Sequence, residues 1–61
     1  MMLNDEQKKI LGFVFEGKTN WEIGDELGYS PNTIKKKLKA IYKFYKVENR
    51  MELFLKTMNS L

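Results

Sequence analysis

Apolar residues recur at helical spacing in four stretches of this chain, and polar residues able to cap or stop a helix stand between them. Ile10, Leu11, Val14 and Phe15 lie three or four positions apart, the spacing of one helix face. Asn4 is placed to cap that segment and Gln7 to answer it in a capping box, with Asp5 and Glu6 at the positive end of the helix dipole and Gly17 available to terminate it. A first helix is expected from Asp5 to Glu16. Asn20 is the next capping candidate, ahead of a short amphipathic segment with Trp21, Ile23 and Leu27 that stops at Gly28.

Ser30-Pro31 gives the sharpest boundary. Serine caps, and proline occupies a first-turn position where its missing N–H is no loss. Only Gly28, Tyr29 and Ser30 separate Leu27 from Pro31, which leaves room for a tight turn and predicts a helix-turn-helix. The third helix is expected from Pro31 to Tyr45, with Ile34, Leu38, Ile41 and Tyr45 on a buried arc. Asn49 caps a fourth, running from Arg50 towards Ser60 and carrying Met51, Leu53, Phe54, Leu55 and Met58. These elements predict an all-α fold, one domain over residues 1–61. Trp21, Tyr29, Tyr42 and Tyr45 are assigned to the core or its rim, and Arg50 to tying the last helix to the turn before it.

Charge placement changes the picture more than composition does. Residues 1–29 carry a net −3, residues 30–46 a net +6 with no acid, and the tail cancels, giving the overall +3. The six lysines are Lys35, Lys36, Lys37, Lys39, Lys43 and Lys46. Lys35, Lys39, Lys43 and Lys46 form a stripe apart from the apolar arc, Lys36 lies beside it, and Lys37 lies on the other flank. An ordinary solvated face mixes signs, so the cluster points to a polyanionic partner.

Other classes recede. With no cysteine and no histidine, disulfides, thiolate sites and imidazole ligands are all excluded, and no nucleophile has a histidine base or a glycine-rich phosphate loop beside it. Neither an enzyme nor a cofactor is expected. No apolar run approaches the roughly 20 residues of a membrane span, and the opening Met-Met-Leu-Asn-Asp-Glu-Gln lacks the regions of a secretory signal, so a soluble cytoplasmic protein without membrane contact is expected. A chain this short buries only about 60% of its unfolded surface, which makes a partner subunit useful.

Three blocks in register carry a family resemblance: Leu3-Asn4 with Gly17-Lys18-Thr19-Asn20-Trp21-Glu22-Ile23-Gly24, then Ser30-Pro31-Asn32-Thr33-Ile34-Lys35, then Ile41-Tyr42-Lys43 through Val47-Glu48-Asn49-Arg50-Met51-Glu52. Over nearly its whole length the chain resembles the LuxR/FixJ/GerE type of helix-turn-helix DNA-binding domain. Sigma-factor region four shares the first two blocks, and the Val47 to Glu52 tail favours the LuxR type. The resemblance implies a four-helix domain, winged-helix-like but without the wing, that binds double-stranded DNA and regulates transcription. Four positions depart from the family pattern: Gly24 for alanine, Lys46 for glycine, Lys37 for a frequent histidine, and Phe15 for a small residue.

By position on the third helix, Lys35, Lys36 and Lys39 are the candidate base readers, matching places from which the family reads bases, and lysine can donate to guanine N7 or O6. Asn32 and Thr33 lie on the first turn, where phosphate is held, and Lys43 and Lys46 lie farther along, against the DNA backbone. Met51, Leu55 and Met58 form an apolar stripe on the fourth helix, which the family uses to form a homodimer. The competing expectation is that this stripe is core. A rival function is a protein-interaction module that docks on another regulator or RNA polymerase through the fourth helix.

Overall fold

The helices begin where side chains capture their first free N–H groups. In the computed structural model, which describes residues 2–58, α1 spans Asp5–Phe15, α2 Asn20–Leu27, α3 Pro31–Tyr45 and α4 Arg50–Met58, with no strand among the described residues. Asn4 and Gln7 close a capping box at α1: the Gln7 N–H donates to Asn4 Oδ1 at 2.7 Å, and the Asn4 N–H donates to Gln7 Oε1 at 2.8 Å. Ser30 accepts from the Thr33 N–H at 3.2 Å at the start of α3, with Pro31 just inside. Asn49 accepts from the Glu52 N–H at 2.9 Å, while the Glu52 carboxylate takes the Glu48 N–H.

At α2 the cap is Thr19, not Asn20. The Glu22 N–H donates to Thr19 Oγ1 and the Thr19 N–H to Glu22 Oε1, a reciprocal pair that needs a glutamate or glutamine three residues after the cap. Asn20, whose third residue on is Ile23, becomes the first helical residue. Helix α1 stops one residue short of the expected Glu16, which serves as its C-cap. The expectation that the last helix reaches Ser60 falls partly outside the described residues.

Helices α1, α2 and α3 share one kind of ending. A left-handed residue closes each: Gly17 at φ 82°, one place beyond the Glu16 C-cap of α1, and Gly28 at φ 78° and Lys46 at φ 58°, directly after α2 and α3. The next N–H then reaches back to a carbonyl of the last turn, from Lys18 to Phe13 at 3.0 Å, Tyr29 to Gly24 at 2.9 Å and Val47 to Tyr42 at 2.9 Å. These are Schellman endings, which satisfy orphan carbonyls and turn the chain sharply.

One core forms around α3. Ile34, Leu38 and Ile41 of α3 are buried with Ile10 and Val14 of α1, Ile23 of α2 and Leu53 of α4, and no polar side chain is buried with them among the described residues. Fully burying such side chains stabilises the fold by roughly 1.5–3 kcal/mol each. Tyr29, Tyr42 and Tyr45 pack at its rim as expected. Two aromatic assignments fail. Trp21 is 70% exposed, because on so short a helix only Ile23 and Leu27 turn inward, and a residue two before Ile23 points nearly opposite. Phe15, expected on the buried face of α1, is 43% exposed and stacks on Phe54 of α4 with ring centroids 6.0 Å apart.

Gly24 is buried where α2 passes the turn backbone, and a Cβ there would collide with the Tyr29 carbonyl. Gly24→Ala should therefore lower stability. A gain of about 1 kcal/mol in helix propensity is outweighed by an overpacking cost of about 1–3 kcal/mol, since the obstacle is backbone. Thermal unfolding is expected to show a lower midpoint for this variant; an unchanged or raised midpoint would mean that the turn yields freely.

Candidate nucleic-acid interface

The capped start and left-handed end of α3 fix which residues face outward. With Ile34, Leu38 and Ile41 buried, Lys35, Lys36, Lys39, Lys43, Lys46 and Asn32 are all exposed. At about 100° per residue they share an arc of about 100°. None of these five lysines is ion-paired to a described residue. The ridge therefore presents five ammonium groups without an ion pair among the described residues. Thr33 is half-buried, its hydroxyl 3.0 Å from that of Ser30, so it is part of the cap as well as of the first turn.

Grooves flank the ridge on both sides. A cleft of about 450 Å³ has Asn20, Lys35, Lys39, Glu48, Asn49 and Arg50 among its lining residues. Arg50 braces its wall, its Nη1 donating to the Lys18 carbonyl at 2.6 Å and its Nη2 to Asn20 Oδ1 at 3.1 Å. Arg50 is thus structural, as expected, but it ties α4 to the connection between α1 and α2 rather than to the turn before α4. The second groove, about 430 Å³, is lined by Asn4, Gln7, Thr33, Lys36, Lys37 and Ala40. The sequence reading missed Asn20 and Asn49 as neighbours of the lysines, having assigned both to capping alone.

Lys37 stands apart from the ridge. Its Nζ lies 2.8 Å from Glu6 Oε1 and 4.6 Å from the centroid of the Tyr29 ring, and the Tyr29 hydroxyl donates to the same carboxylate through Oε2. The Lys37 ammonium and the Tyr29 hydroxyl hold the Glu6 carboxyl below its ordinary range. In return Glu6 raises both the Tyr29 hydroxyl and the Lys37 ammonium. The Glu22 carboxyl is also lowered, chiefly by the Thr19 backbone N–H of its capping box.

A helix-turn-helix with an unneutralised cationic second helix is the arrangement that places a helix in a DNA groove. The sequence matches the family GerE, bacterial regulatory proteins of the luxR family, over residues 1–57. The chain belongs to the LuxR family. The four helices of the described residues, without a strand among them, are the all-α architecture of the LuxR-type domain, which is that of a DNA-binding transcription regulator. No curated protein and no solved structure matches the chain. No helix among the described residues is long and apolar enough to cross a membrane.

Beside the LuxR pattern, Lys46 is the costly departure, because a side chain in the left-handed region costs about 1–2 kcal/mol. Lys46→Gly should raise stability by up to about 1 kcal/mol, the relief being offset in part by the larger freedom of glycine in the unfolded chain. Urea unfolding checks this, and a lower midpoint would show that packing by the Lys46 side chain outweighs the strain.

Proposed function

We propose that this LuxR-family chain binds double-stranded DNA sequence-specifically by seating α3 in the major groove. The observation that supports it is the exposed, unpaired ridge of Lys35, Lys36, Lys39, Lys43 and Lys46 opposite the buried arc of the same helix. Lys35, Lys36 and Lys39, on the N-terminal half, read base edges, since the early residues of a recognition helix are those that reach them. Asn32 and Thr33 hold phosphate at the helix start, and Lys43 and Lys46 meet the backbone farther along. The site of action in this reading is cytoplasmic DNA.

Two copies join through α4. Met51, Phe54, Leu55 and Met58 are all exposed, while Leu53 faces the core, so the stripe expected at Met51, Leu55 and Met58 is not core and offers an apolar arc on one helix. A two-fold contact through this arc presents two recognition helices to half-sites about 10 base pairs apart. Burial of the arc also adds apolar area to a domain with a thin core of its own.

Unbiased selection of bound duplexes, followed by titration at several salt concentrations, tests the DNA reading. Lys35→Ala and Lys39→Ala should each weaken the selected site by about 1–3 kcal/mol more than random duplex. Lys43→Ala should weaken both alike and reduce the salt slope by about one. Equal losses on every sequence for all three variants would show that the base readers are misassigned. For the dimer, Leu55→Glu or Met58→Glu should lower affinity for a paired site and leave a single half-site unaffected, with sedimentation giving a monomer on DNA. A wild-type protein that binds paired sites one copy at a time would instead release the arc for RNA polymerase or another regulator.

A further inference from the structure

Of the six lysines between Ser30 and Lys46, only Lys37 is held by an acid among the described residues. It lies about 100° round α3 from Lys36, on the flank that meets α1, with its ammonium 2.8 Å from Glu6 and 4.6 Å from the Tyr29 ring centre. The side chains of Lys37 and Glu6 remain 30% and 36% exposed, so the lysine is held rather than buried. Its flexible four-carbon stem lines the same groove as Lys36, a member of the ridge. Lys36 and Lys37 thus border one groove, which links the clamp to the edge of the ridge.

We propose that Glu6 sets the level of sequence-independent binding: by clamping Lys37 against Tyr29, it withdraws one lysine of α3 from the DNA phosphates. Each lysine that neutralises a phosphate strengthens binding to every sequence alike and discriminates none. Withholding one such contact leaves the ratio of specific to non-specific binding as it is, while shortening the time spent on random sites. The Tyr29 hydroxyl completes the clamp by holding the second carboxylate oxygen, which fixes the direction in which Glu6 faces Lys37. The inference rests on the reading of α3 as the DNA-contacting helix.

Fluorescence anisotropy with selected and random duplexes over a range of salt tests it, using Glu6→Gln, Lys37→Gln and the double variant. Glu6→Gln keeps the volume and an acceptor for Tyr29 but removes the charge. It should steepen the slope of log affinity against log salt by about one on both duplexes and raise non-specific affinity several-fold at low salt. Lys37→Gln should keep the wild-type slope, and the double variant should return to it. Steepening that persists in the double variant would mean that Glu6 acts as a repelling charge by itself and would overturn the proposal. So would a slope reduced by one in Lys37→Gln alone, a measurement that does not depend on Glu6→Gln folding; circular dichroism reports folding for each. A wild-type protein with no salt-dependent DNA binding would remove the functional reading instead, so the two failures are distinguishable.

Discussion

Helix α3 can occupy only one rotation about its axis, and that constraint organises the rest of the domain. Ile34, Leu38 and Ile41 pack against side chains from α1, α2 and α4, and the core contains no buried polar group among the described residues to accommodate a misplaced charge. Turning the helix by a single residue, about 100°, would carry Lys35 towards that core, where an unpaired ammonium costs several kcal/mol or more. The apolar arc therefore decides where the lysines point. Affinity for a polyanion and the stability of the fold are set by opposite faces of one helix, so neither can be tuned by rotating it.

Rotation alone does not place the helix along its axis, and the turns at its ends do that. Ser30 and Pro31 fix where α3 starts, and Lys46 fixes where it stops. Gly24 lets the turn backbone lie against α2, which sets how closely α2 and α3 approach. Arg50 works at longer range: one guanidinium grips the Lys18 carbonyl and the Asn20 amide, linking α4 to the connection before α2. Planar forked donors suit such a double contact better than an ammonium does. The same contact forms a wall of the cleft beside Lys35 and Lys39, so a residue with no place on the ridge shapes its surroundings.

Local signals made most of the fold legible in the sequence. The Asn4 and Gln7 box, the Ser30-Pro31 start and the arc of Ile34, Leu38 and Ile41 each depend on residues within one or two helical turns, and each lies where the pattern placed it. Thr19 was equally legible, since Glu22 stands three residues on, yet Asn20 drew the cap assignment on residue type alone. Trp21 and Phe15 were misplaced for a different reason. Their size argues for burial, but α2 is too short to cover a second face, and Phe15 finds Phe54 on a helix far away in sequence. The clamp on Lys37 was invisible for the same reason: Glu6 is remote in sequence, and no periodicity connects α1 to the far flank of α3. Exposure of the ridge lysines followed from the pattern, which sets them opposite the buried arc of the same helix.

The acids of this domain are placed as deliberately as its lysines. Glu22 and Glu52 both close onto backbone N–H groups at helix starts, and Glu6 faces Lys37 and the Tyr29 hydroxyl. Carboxylates occupied in this way stabilise helix starts and helix packing without opposing the ridge, since none of them pairs with Lys35, Lys36, Lys39, Lys43 or Lys46. A net charge of only +3 thus understates the field a duplex would meet. What matters for association is the local, unpaired charge on the exposed face of α3, within the roughly 10 Å over which charge acts at moderate salt. Attraction is thus concentrated on one helix, while Glu6, Glu22 and Glu52 have their structural partners elsewhere.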